Sequence, residues 1–173
     1  MDNNDILIRV RYALDIKNTD MVEIFKLGGI EVTKEKVLKM LIKSKDGYHN
    51  EGKNDANIDE NEECSNFMLE SFLNGLIIFK RGKQAPKPGQ PERPALSIND
   101  NGSVNNILLK KLKIALALTS DDMLDIFKET AVIITKGELS AIFRKVGHKN
   151  YQECGDKYAR NFLKGLAIKY RKK

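Results

Sequence analysis

The sequence predicts an all-α protein of two tandem four-helix repeats, related by internal duplication and arranged about a pseudo-two-fold axis. Three observations carry this expectation. The chain contains itself twice, apolar residues recur at helical spacing in each repeated block, and no segment keeps the two-residue alternation of a strand. Positions 3–26 align with 105–128 at a constant offset of 102, and ten of the 24 pairs are identical, among them Asn3/Asn105, Asn4/Asn106, Met21/Met123 and Phe25/Phe127. The offset then falls to 90, pairing Cys64/Cys154, Phe72/Phe162, Gly75/Gly165 and Leu76/Leu166. The difference of twelve residues is an insertion in the first copy.

Each element has its own signal. In the first helix Ile6, Leu7, Val10 and Leu14 form an apolar stripe at i, i+3/i+4 spacing, repeated by Leu108, Leu109, Leu112 and Leu116. The second helix starts at "TSDDM", where Thr119 and Asp122 make a T-x-x-D cap, and it buries Met123, Ile126 and Phe127. The third follows Thr33 or Thr135; Thr135 and Glu138 form a capping box. Val37, Met40 and Leu41 match Leu139, Ile142 and Phe143 on its inner face. The fourth carries Met68, Leu69, Phe72, Leu76 and Phe79. Gly75 interrupts it at a cost of about 1 kcal/mol relative to Ala. A glycine at the same place in both copies predicts a close helix crossing. Lys80 and Arg81 sit in the last turn, where cations complement the negative helix end, and Gly82 suits the position just beyond it.

These elements divide the chain into a first repeat at 1–83, a linker at 84–104 and a second repeat at 105–173. The insertion lies in 46–63, which holds seven acids and one lysine. Such a segment buries little apolar surface. All four prolines, Pro86, Pro88, Pro91 and Pro94, fall in the linker, where they block helix continuation.

Composition narrows the functional classes. Hydrophobic residues make up 41% and charged residues 31%, as in a soluble globular protein. The net charge of +6 favours acidic partners, and the acidic insertion makes the remainder more basic than the total. No apolar run of about 18 residues predicts a membrane span. The start, "MDNNDILIRV", lacks a basic segment leading into an apolar one. Two cysteines and no secretory signal predict a cytoplasmic setting.

The blocks "NNDILIRVRYAL", "SFLNGLIIFKRGK", "NNILLKKLKIALALTSDDML" and "HKNYQECGDKYARNFLKGLA" resemble the YehS-like family, bacterial proteins built from a tandem domain of unknown function. The resemblance spans nearly the whole chain. It implies a cytoplasmic protein of two related domains and supplies no reaction, cofactor or catalytic residue. The acidic insertion is longer than the family usually carries there, so no shared role is implied for it.

Candidate sites are few. Cys64 and Cys154 occupy matched places before the fourth helix, where a helix N-terminus lowers a thiol pKa. Burial as small packed residues is the commoner reason for such cysteines. His148 precedes Cys154 by six residues, and His49 lies in the acidic insertion. No spacing among them matches a zinc site. A calcium-loop reading of Asp55, Asn57 and Asp59 fails, because Glu60 stands where glycine is needed and Asn66 where a bidentate Glu belongs. No phosphate-binding glycine loop or hydrolase motif occurs. The basic residues Arg9, Arg11, Lys110, Lys111, Lys113, Lys80 and Arg81 form the candidate binding surface. Lys34, Lys36, Lys39 and Lys43 decorate the third helix, within a helix-turn-helix-like pair around "KLGGIEVTKEKVLKML". The functional expectation is a non-enzymatic binding module, with a protein or nucleic-acid partner, no cofactor, no metal and no membrane. The alternative is a thiol-dependent enzyme or redox sensor using Cys64 and Cys154.

Overall fold

The computed structural model describes residues 1–42, 62–82 and 103–171. The acidic stretch 46–61 and the linker residues 84–102 lie outside the described residues. Among the described residues the secondary structure is eight helices and no strand: α1 (Asn3–Leu14), α2 (Asn18–Leu27), α3 (Lys34–Met40), α4 (Asn66–Arg81), α5 (Val104–Ala115), α6 (Ser120–Lys128), α7 (Lys136–Ile142) and α8 (Asp156–Arg171).

The sequence signals become local structure as expected. Thr119 and Asp122 form a reciprocal capping box at 2.9 and 3.1 Å, and Thr135 and Glu138 form another at 3.2 and 3.1 Å. Thr33 accepts only from the Lys36 N–H, because Lys36 has no carboxylate to return the bond. Even the irregular backbone is duplicated. Asp15 and Ala117 both take φ 52°, while Gly29 and Ala131 take φ 99° and 60°. The turn "LGGIE" and its glycine-free counterpart "ETAVI" therefore share one left-handed position, which alanine adopts at a cost of about 1–2 kcal/mol.

The directions of the helices follow from what joins their ends. At the starts, Asn3 Nδ2 donates to Asn66 Oδ1 at 2.7 Å, and Asn105 Nδ2 donates to Asp156 Oδ1 at 2.8 Å. The Met1 amine meets Asp156 Oδ2 at 2.9 Å. At the far ends, Arg81 Nη1 donates to the Ile114 carbonyl at 3.4 Å and Arg171 Nη1 to the Tyr12 carbonyl at 3.0 Å. Helices α1, α4, α5 and α8 thus run the same way. The first helix of each repeat packs on the fourth helix of the other, α1 against α8 and α5 against α4. This reciprocal exchange is the pseudo-two-fold, and one continuous apolar core spans both copies.

Helices α2 and α6 run antiparallel to α4 and α8 and cross them closely. A Cβ on Gly75 would penetrate the Ile24 carbonyl oxygen and lie 2.8 Å from the Gly28 nitrogen. A Cβ on Gly165 would penetrate the Ile126 carbonyl oxygen. Gly28 is equally close to the Ser71 carbonyl. In the second copy Thr130 replaces Gly28 and donates its hydroxyl to the equivalent Asn161 carbonyl at 3.3 Å. Beside each crossing two phenylalanines meet, Phe25 with Phe72 at 4.9 Å and Phe127 with Phe162 at 5.2 Å. Phe79, expected on the inner face, is 37% exposed, as is Ile168 at the equivalent turn of α8. Both last turns extend beyond the crossing.

Gly75→Ala and Gly165→Ala are each expected to destabilise the protein. The helix gains about 1 kcal/mol locally, but overpacking costs about 1–3 kcal/mol. Here the obstacle is backbone, which cannot rotate away. Urea denaturation of both variants checks the sign; stabilisation by either would show that the crossing yields.

Candidate functional site

The two cysteines lie at the end of the bundle where the four parallel helices begin. Each is gripped by an asparagine pair. The Cys64 N–H donates to Asn4 Oδ1 at 3.0 Å and the Cys64 carbonyl accepts from Asn3 Nδ2 at 3.0 Å. Asn4 Nδ2 also donates to the carbonyls of Met40 and Glu62, at 2.9 and 2.6 Å. The second copy repeats every bond: Asn106 holds the Cys154 N–H at 2.8 Å and the carbonyls of Ile142 and Gln152, while Asn105 holds the Cys154 carbonyl. Each buried amide therefore ties the start of a first helix to the end of the third and the approach to the fourth. The sequence displayed the repeated Asn-Asn pair but not its role. The available signal was a polar dipeptide kept identical beside an apolar stripe.

That environment suppresses thiol chemistry. Both cysteines are only 2% exposed. Burial, with Asp2 and Glu63 adding to it, pushes the Cys64 thiol up to about 12. Burial, aided by Asp156 and Glu153, does the same for Cys154. The helix N-terminus acts in the opposite direction and is outweighed. His148 is engaged through Nδ1, which accepts from the Asn150 N–H at 3.0 Å; His49 lies outside the described residues. Among the described residues no cluster of three His, Cys, Asp or Glu side chains is placed to hold a metal, and no helix is long and apolar enough to cross a membrane. Asp55, Asn57 and Asp59 also lie outside them.

The seven basic candidates do not form one surface. Lys111 is 9% exposed, on the face of α5 that meets α4, where its Nζ lies 3.8 Å from Glu70 across the seam between repeats. Burial lowers its pKa, with Glu70 opposing. Lys111 is therefore corrected from a surface residue to a seam residue. Arg81 is turned onto the end of α5, as described above. Arg11 Nε donates to Asn18 Oδ1 at 3.0 Å, and Lys80 stands 6.0 Å from the Phe79 ring. Lys113 is half-buried in the last turn of α5, and Lys110 is exposed. Arg9 is half-buried, and its Nε is enclosed without a hydrogen-bond partner. Of the third-helix lysines, Lys39 pairs with Glu35 at 3.8 Å, Lys34 is exposed, and Lys43 lies outside the described residues.

A different cationic stripe stands on α8. Lys157, Arg160 and Lys164, at i, i+3 and i+7, are all exposed on one face, and none forms an ion pair with a described residue. The α4 counterparts are Phe67, Glu70 and Asn74. The stripe has no repeated partner in the first copy, so alignment of the repeats passes over it; the helical spacing alone would reveal it.

Duplicated sequence, reciprocal packing and sealed thiols define a tandem-repeat helical protein with cations on one helix face. The chain belongs to the family described as "Protein of unknown function (DUF1456)", whose model matches residues 3–82 and 105–172. It is 42% identical over 171 residues to the "Uncharacterized protein YehS" of Escherichia coli (strain K12), covering 98% of this chain and 96% of that protein. No solved structure matches it.

In iodoacetamide labelling at pH 8, both cysteines of the folded protein should react roughly a thousandfold more slowly than in the unfolded chain. That factor follows from a thiol near 12 against an ordinary value near 8.5. The raised native value also means that stability is full below about pH 8.5 and declines as pH rises towards 12. Rapid labelling of the native protein would contradict the buried environment.

Proposed function

We propose that the protein is a non-enzymatic binding module for nucleic acid, held through its phosphates. The observation that carries this reading is the row of Lys157, Arg160 and Lys164 along the exposed face of α8; none is within salt-bridge distance of a described carboxylate, and Arg160 helps to hold down the Asp156 pKa. Elsewhere on the surface, Lys128 approaches Asp125 at 4.0 Å, and Lys136 meets Asp121 at 3.1 Å. Three cations over two helical turns present a rigid linear charge array to a polyanion, and counterion release then supplies the affinity. The thiol-based alternative is opposed by the burial and raised pKa of Cys64 and Cys154.

Fluorescence anisotropy with labelled duplex and single-stranded oligonucleotides, across a salt series, tests this. Binding should weaken steeply with salt. Lys157→Gln and Lys164→Gln should each reduce the slope of log K against log salt by about 0.7–0.9, without changing melting temperature. Absence of salt-dependent binding, or slopes unmoved by both changes, would reject the reading.

A further inference from the structure

The geometry points to a discrete phosphate site in the seam between α1 and α8, built on Arg9 and Arg160; this inference deepens the nucleic-acid reading and rests on it for its natural ligand.

The two seams of the bundle are related by the pseudo-two-fold but carry different chemistry. On the α4–α5 seam, Glu70 faces Lys111. The repeat offsets make Arg160 the counterpart of Glu70 and Arg9 the counterpart of Lys111. The α1–α8 contacts fix the same register, with the Met1 amine on Asp156 one turn before Arg160 and Arg171 on Tyr12 at the far end. The register therefore places two cations at the positions where the other seam has an ion pair, with Glu70 buried and Arg160 exposed. Asp156, the nearest carboxylate on α8, is already engaged by Asn105 and the Met1 amine. Those hydrogen bonds, with a further contribution from Arg160, hold its pKa down.

Arg9 is the second observation. Its Nε is enclosed and has no hydrogen-bond partner, although a buried guanidinium N–H left unpaired is costly. Arg160 is exposed, so its guanidinium is open to solvent. Lys157 and Lys164 stand about one turn to either side of it on α8. Two planar guanidinium forks suit an anion with several oxygens, which each can engage in paired hydrogen bonds. A phosphate group, inorganic or within a nucleic-acid backbone, satisfies Arg9 and can be shared with Arg160. Two cations at seam positions where the sister seam holds an ion pair fit the pattern of stability given up for a ligand.

The test compares the melting temperature of the full chain in sodium phosphate and in sodium chloride of equal ionic strength. Wild type should gain about 5–10 °C at phosphate near a hundred times its Kd. Arg160→Glu should raise the melting temperature in chloride, by recreating the Glu70–Lys111 arrangement, and should abolish the phosphate increment. Arg160→Gln, at an exposed position, should weaken the increment at least tenfold in apparent Kd and leave the fold intact. An increment that survives both changes, or a fall in chloride stability in Arg160→Glu, would overturn the site. Oligonucleotide anisotropy on the same variants separates the two ideas. Stabilisation by phosphate without oligonucleotide binding ends the nucleic-acid reading and keeps the site. Oligonucleotide binding indifferent to Arg160→Gln and to competing phosphate ends the site and keeps the reading.

Discussion

Four helices that run the same way stack the same pole at each end of the bundle. Each helix terminus carries about half a unit charge, so α1, α4, α5 and α8 together concentrate roughly two units of opposite sign at the two ends. Up-down bundles largely cancel these poles between neighbours. Here α2 and α6 offset part of the field, and side chains answer the rest. Asp2, Glu63, Glu153 and Asp156 gather near the helix starts, while Lys80, Arg81, Lys169 and Arg171 stand in the last turns. Arg81 and Arg171 go further, each donating to a carbonyl at the end of the other repeat's first helix. Arg81 and Arg171, at the basic ends of α4 and α8, are clasps between repeats.

Much of this was legible in the sequence. Stripes such as Ile6, Leu7 and Val10 identified the helices, the Thr119 and Thr135 boxes placed their starts, and the paired Gly75 and Gly165 announced the crossings. Periodicity shows that a face is buried but not what covers it. Nothing in the Leu109 or Leu73 pattern said that α5 would pack on α4 rather than on α8. Lys111 read as surface for the same reason: its seam became interior only through that exchange. For the cysteines two effects of opposite sign were both visible, and desolvation won. The sequence held the spacing of Lys157, Arg160 and Lys164, but comparison of the copies favoured what they share, and this stripe is where they differ.

The duplication explains why such a difference is available. Two identical chains paired through this exchange would present the same residues on both seams, and any substitution would alter both. Within one chain the seams vary independently. One has become an ion pair between Glu70 and Lys111, while the other carries Arg9 and Arg160. The asparagine staples around Cys64 and Cys154 remain identical, because each completes its own copy's helix starts.

The exchange of first helices also sets an order in time. Arg171 and the Tyr12 carbonyl that it clasps are 159 residues apart in the chain. At ribosomal rates of about 5–20 residues per second, roughly 8–30 s separate the synthesis of α1 from that of its packing partner α8. Throughout that interval the apolar side of α1 that meets α8 has only nascent chain and chaperones for company. Helix α1 is thus made long before it finds its place, and vulnerability to misassembly is greatest before α8 is made.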